Sequence, residues 1–101
     1  METPERKVKK KLIDHIEALQ KSGIPIYYEP RSAGGFTYRK GLPDLWIVYN
    51  HRHIEIEVKA PGGVQSTMQI KWAEIFWKLG IECYCIDSVD ALKEILSKEK
   101  R

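Results

Sequence analysis

The sequence predicts an α/β fold: a mixed four-stranded sheet flanked by helices, in the order α-β-β-β-α-β-α, with an extra helix at the C-terminal end. Three observations carry this expectation. Apolar residues recur at helical spacing near the start, after the middle and at the end of the chain. Between them lie short runs rich in Ile, Val, Tyr and Trp, bounded by Gly, Pro and Asn. The length of 101 residues makes one domain, 1–101, with room for a single core. A hydrophobic share of 43% beside a charged share of 31% belongs to a globular chain rather than a disordered one.

The first helix is marked at both ends in "TPERKVKKKLIDHIEALQKSG". Thr3 can cap, Pro4 suits the first helical position, and Glu5 sits where the helix dipole is positive. Val8, Leu12, Ile13, Ile16 and Leu19 form the apolar stripe, and Gly23 is the stop signal. "IPIYYE" reads as a strand and "PRSAGGFTYRKG" as a glycine-bearing loop with a mobile tip. "DLWIVYN" and "HIEIEVKA" read as a hairpin with "HR" between them, its register open by a residue because the turn lacks Asn-Gly. "TMQIKWAEIFWKLG" is a helix with Met68, Trp72, Ile75, Phe76 and Leu79 on one side. Trp72 and Phe76 are expected to pack on the sheet, and Trp77 to point elsewhere, as a candidate dimer contact. "IECYCI" is the fourth strand and "SVDALKEILSKE" the last helix. The first three strands make an antiparallel meander, and a helical crossover leads to the fourth.

Charge and cysteine usage narrow the function classes. The formal charge is only +3, so bulk charge says little about an anionic partner. Arg6, Lys7, Lys9, Lys10 and Lys11 spread round a helix and read as a solvated face with long-range attraction. Arg31, Arg39 and Lys40 flank the glycine loop just before Asp44, where phosphate contact is expected. Cys83 and Cys85 fall on one face of one strand, a poor arrangement for a disulfide or a tetrahedral zinc site. They read as reduced thiols in or near the core of a cytoplasmic protein. No run reaches the length of a membrane span, and no signal peptide is evident. His15 reads as bland, and His51 and His53 lack a third ligand.

One stretch carries chemistry. The two-residue period of a strand over 53–60 puts His53, Glu55, Glu57 and Lys59 on one face, with Ile54, Ile56, Val58 and Ala60 on the other. Glu57 and Lys59 then stand about 7 Å apart along the strand. Hairpin pairing brings Asp44 to the same end. Two carboxylates brought together repel, and one takes up a proton unless a cation holds them. A magnesium-type ion prefers oxygen ligands and lowers the pKa of bound water. A neighbouring lysine can orient that water or steady charge developing on a phosphate. Asp, Glu and Lys converging in this way suit metal-assisted phosphodiester hydrolysis, although D…ExK alone is a pattern that any charged strand can spell.

The combination is more specific than its parts. Gly41-Leu42-Pro43-Asp44, then Glu57-Val58-Lys59, then Gln69 opening the next helix, resembles the PD-(D/E)XK nuclease superfamily, and within it the VRR-NUC family of virus-type replication-repair nucleases. The resemblance spans nearly the whole chain and implies a restriction-endonuclease-like αβββαβ core. It also implies Mg²⁺ or Mn²⁺ held by Asp44, Glu57 and the Val58 carbonyl, with Lys59 catalytic, Gln69 at the site, and Glu5 as the family's early helical glutamate. By the same resemblance the expected substrate is DNA, in branched or four-way-junction form, cut by a homodimer acting in DNA repair.

Competing roles stay open at three positions. Glu17 rivals Glu5 on the first helix. Glu55 shares the face of Glu57 but breaks the Glu-x-Lys spacing, so it reads as solvated or accessory. Ser66 and Gln69 spell a capping box, which gives Gln69 a structural role beside the functional one. The leading reading is a divalent-metal-dependent endodeoxyribonuclease. The alternatives are a non-catalytic nucleic-acid-binding module on the same fold, and an interaction protein whose charged face is merely solvated.

Overall fold

The computed structural model describes residues 2–31 and 39–98. The glycine-bearing tip of the 30–41 loop lies outside the described residues. Helix α1 (Pro4–Lys21) leads into β1 (Ile26–Pro30), β2 (Leu45–Tyr49) and β3 (Arg52–Val58). Helix α2 (Thr67–Lys78) crosses over to β4 (Glu82–Ile86), and α3 (Val89–Ser97) follows. The sheet order is β1-β2-β3-β4, antiparallel except for the parallel β3–β4 pair. This is the expected mixed sheet.

The helix ends follow the side chains that satisfy free backbone donors. Thr3 accepts from the Arg6 amide with Pro4 in the first turn, and Ser88 accepts from the Ala91 amide. Ser66 and Gln69 form a reciprocal capping box at α2.

The hairpin turn corrects the expected one. Its loop is Asn50-His51, both with positive φ (51° and 62°), rather than His51-Arg52. Asn tolerates this left-handed backbone better than most residues, which is what a two-residue hairpin loop requires. The shift has a consequence at the far end of the ladder. Pairing Tyr49 with Arg52 and Leu45 with Ile56 sets Asp44 beside Glu57; a loop one residue later would have set it beside Lys59. It also makes Arg52 a strand residue with its side chain buried. That guanidinium donates to both Glu82 oxygens at 2.8 Å and to the Lys98 carbonyl at 2.8 Å, tying β3 to β4 and to the end of α3.

The core lies on one face only. Leu45, Ile47, Ile54, Ile56, Val58 and Ile86 from the sheet pack with Leu12 and Ile16 of α1 and Leu92 and Ile95 of α3. The other face carries Tyr27, Trp46, Val48, His53, Glu55 and Glu57, with α2 lying against β4. No residue of α2 is buried. Met68, Ile75 and Leu79, grouped by the sequence on one side with Trp72 and Phe76, are 39%, 42% and 68% exposed. Trp77 also differs from expectation: it turns to β4, its Nε1 donating to the Cys83 carbonyl and its ring meeting Tyr84 edge-on. No helix of the described residues is long and apolar enough to cross a membrane.

Candidate active site

The loop 39–44 enters the sheet through Gly41, whose φ of +89° favours glycine. A Cβ at that position would stand 2.7 Å from the Met68 Cβ and 2.9 Å from the Met68 carbonyl carbon. The backbone of Gly41 therefore packs directly against the first turn of α2, next to Gln69. Trp72 holds the same junction by donating its Nε1 to the Lys40 carbonyl at 3.1 Å. The glycine of the Gly-x-Pro-Asp motif is thus explained by close approach as well as by conformation.

Asp44 follows at the mouth of β2. Its amide donates to the Ile56 carbonyl at 2.9 Å, and its Oδ2 accepts from the Val58 amide at 2.7 Å. The side chain continues the ladder where the strand itself has ended. Its other neighbour is Glu57, 3% exposed and within hydrogen-bonding reach of the Asp44 carboxyl. Burial first, then Asp44, pushes the Glu57 carboxyl up to about 9, partly opposed by the Lys59 ammonium. In the absence of a cation the pair therefore holds a proton at neutral pH.

Lys59 extends from the end of β3, its amide bonded to the Ile86 carbonyl and its Nζ 3.6 Å from Glu5 Oε1. Glu5 thus stands at the site. Glu17 does not: its Oε2 accepts from the Tyr28 hydroxyl at 2.7 Å, further along α1. Gln69 caps α2 and at the same time reaches Glu57. Its Oε1 accepts from the Ser66 amide at 2.7 Å, completing the cap, while its Nε2 donates to Glu57 Oε2 at 3.0 Å.

Three findings depart from the sequence expectations or add to them. Glu55 is not solvated but fully buried, with Arg31 and His53 on its two oxygens. Arg31, expected at the phosphate backbone, directs its guanidinium inward to Glu55 and to the Pro43 carbonyl. Arg39 and Lys40 are exposed. Arg6 and Lys9, read as part of a solvated helix face, line a cleft of about 380 Å³ with Glu5, Arg31, Asp44 and Val58. The signal that could have found them is their spacing: Glu5 and Lys9 share a helix face at i, i+4, so whatever receives Glu5 receives Lys9. Both cysteines are free, Cys83 buried and Cys85 exposed.

The donor set fits a hard divalent cation. Among the described residues no three His, Cys, Asp or Glu side chains converge as a ready-made metal cage. Two carboxylates, a backbone carbonyl and water are instead the few-ligand, water-rich set that a magnesium-type ion accepts. The raised Glu57 carboxyl, buried beside Asp44, marks where its charge would go.

A mixed four-stranded sheet with an acid pair at the end of its central hairpin defines the class. The backbone superposes on a solved structure described as a VRR_NUC domain with a TM-score of 0.73, covering 95% of this chain and 97% of that chain at 23% identity. At that identity the likeness speaks for the fold: this chain has the α/β fold of a VRR_NUC domain, the family that its motifs resemble. No protein-family model and no curated protein matches the chain.

Proposed function

We propose that the chain is a divalent-metal-dependent DNA endonuclease of the VRR-NUC type. The observation that carries this reading is the meeting of Asp44 and Glu57 carboxyls on one sheet face, with Lys59 extending beside them from the same strand. Mg²⁺ or Mn²⁺, held by Asp44, Glu57 and the Val58 carbonyl, would supply Lewis-acid polarisation of a phosphodiester and a more acidic bound water. The residues provide the rest. Val58 N–H and Gln69 Nε2 fix one oxygen of each acid, leaving the remaining oxygens for ligation. The Lys59 ammonium, now against Glu5, can turn to the attacking water or to charge growing on the phosphate. Arg6 and Lys9, which line the cleft, and the exposed Arg39 and Lys40 that precede Asp44 in the chain supply cations for the flanking phosphates.

Branched DNA as substrate and a homodimer as the working form are part of the proposal. A two-fold dimer brings two sites to a symmetric junction. The exposed flank of α2, with Ile75 and Leu79, is one apolar surface that could serve such a contact.

The test is cleavage of duplex, flap and four-way-junction DNAs with Mg²⁺, with Mn²⁺ and with chelator, alongside light scattering. Metal-dependent cutting that favours the junction, from a dimeric species, is the expected result. Metal-independent cutting would overturn the mechanism. Salt-sensitive binding with no product under any condition would replace it with the non-catalytic binding module, and a monomer mass with and without junction DNA would remove the dimer.

A further inference from the structure

We infer that Arg31 and Glu55 form a brace that sets Asp44, so that both are positioning residues for the acid pair. The inference rests on the active-site reading above, and it deepens it by giving Arg31 a partner inside the protein in place of a phosphate.

Glu55 is fully buried, and a carboxylate taken out of water has to be paired and hydrogen-bonded. It is: Arg31 Nη1 and Nη2 take its two oxygens, the second at 3.1 Å, and His53 Nε2 lies 2.7 Å from Oε2. A two-pronged contact of this kind fixes the plane of the guanidinium. Held in that plane, Nη1 also donates to the Pro43 carbonyl at 3.1 Å. The Arg31 backbone amide donates to the Asp44 carbonyl at 2.8 Å. One residue therefore grips the peptide groups on both sides of the Asp44 Cα. What remains free in Asp44 is its side chain, and the Val58 amide takes that.

The anchor sits on the strand that matters. Glu55 lies two residues before Glu57 on the same face of β3, so the brace ties the backbone of one acid to the strand that carries the other. Three guanidinium hydrogen bonds point inward. Lysine at position 31 would keep the charge but could not fork both oxygens and reach Pro43 as well.

Arg31→Lys, Glu55→Gln and the double substitution Arg31→Met with Glu55→Leu test this against wild type and Asp44→Asn. In metal-free protein, hydrogen exchange at the Val58 amide reports whether the Asp44 carboxylate is in place. Protection at Val58 should fall in every brace variant, while Ile95 in the core keeps its protection. Mn²⁺ affinity by calorimetry should fall about tenfold, the lower range for losing an outer partner of a metal ligand. Affinity for four-way-junction DNA in chelator should stay at the wild-type level. The double variant replaces the buried carboxylate and its partner with apolar groups, so it keeps the site filled if a single variant unfolds. Unchanged Val58 protection overturns the brace. So does loss of junction affinity with Mn²⁺ affinity retained, which would make Arg31 a phosphate contact. Wild-type protein that binds no Mn²⁺ would sink the active-site reading instead, and the Val58 exchange would still decide the brace.

Discussion

The two faces of the sheet are built to different rules. Facing α1 and α3, seven aliphatic side chains from the strands meet four from the helices, and nearly all are shut off from water. Facing α2, the same strands bury two glutamates and leave Tyr27 and Val48 half-exposed, while the covering helix contributes no buried residue. Apolar burial is the main favourable term in folding, so the first face carries most of the stability. Buried acids cost stability unless partnered, so the second face draws on what the first provides. Because β3 contributes to both, alternate residues of one seven-residue strand serve opposite ends.

The comparison is broken most sharply at the acid pair. Asp44→Asn keeps an acceptor for the Val58 amide but removes the charge, and Lys59→Ala removes the ammonium. Each should lower junction cleavage by about 10²- to 10³-fold, with a melting curve close to wild type. Undiminished cutting by either would mean that the polar face is not where the chemistry occurs.

On the opposite face the effect should be on stability. Ile54→Ala, at a fully buried position, should cost about 2–5 kcal/mol in urea unfolding. Leu79→Ser, on the exposed flank of α2, should stay within about 0.5 kcal/mol. Equal costs at the two positions would show that α2 packs as tightly as α1 and α3. Gly41→Ala falls between these extremes, at about 1–3 kcal/mol, because the added methyl group meets Met68 in a backbone conformation that alanine resists. It should also lower Mn²⁺ affinity, since the turn of α2 that it displaces carries Gln69.

A further measurement sharpens the comparison through pH. Burial and Asp44 hold the Glu57 proton up to about 9, well above the ordinary range of a carboxylate in an unfolded chain. The folded state then binds a proton that the unfolded state has released. Metal-free stability should be greatest below the unfolded value and decline as pH rises toward about 9. Denaturant midpoints measured in chelator across this range should show the decline, and Glu57→Gln should flatten it. A slope unaltered by that substitution would place the titrating group elsewhere.

Much of this arrangement was legible in the residue order, for local reasons. Thr3-Pro4 and Ser66 with Gln69 satisfy donors three residues away, and such bonds can be read from spacing. The alternation through β3 fixed which side chains share a face, and hairpin pairing placed Asp44 at the correct end. The hairpin loop was not legible, because Asn-His carries a weaker positive-φ signal than Asn-Gly. Nor was the burial of Glu55, since its partner Arg31 lies 24 residues away and meets it only after β1 and β2 have paired. The apolar stripe of α2 misled for a third reason. Helical periodicity reports that a face is apolar but not that anything covers it.

The amide at position 69 accounts for a choice that helix physics alone would not make. A capping box is equally served by glutamate, and the positive end of a helix favours the acid. Glutamate here would cap Ser66 but confront Glu57 with another acceptor, where the chain now presents an N–H. The residue that completes the cap of α2 is thus selected by a strand it does not belong to, and putting oxygen in place of nitrogen in that one headgroup should leave the helix standing while turning its neighbour away.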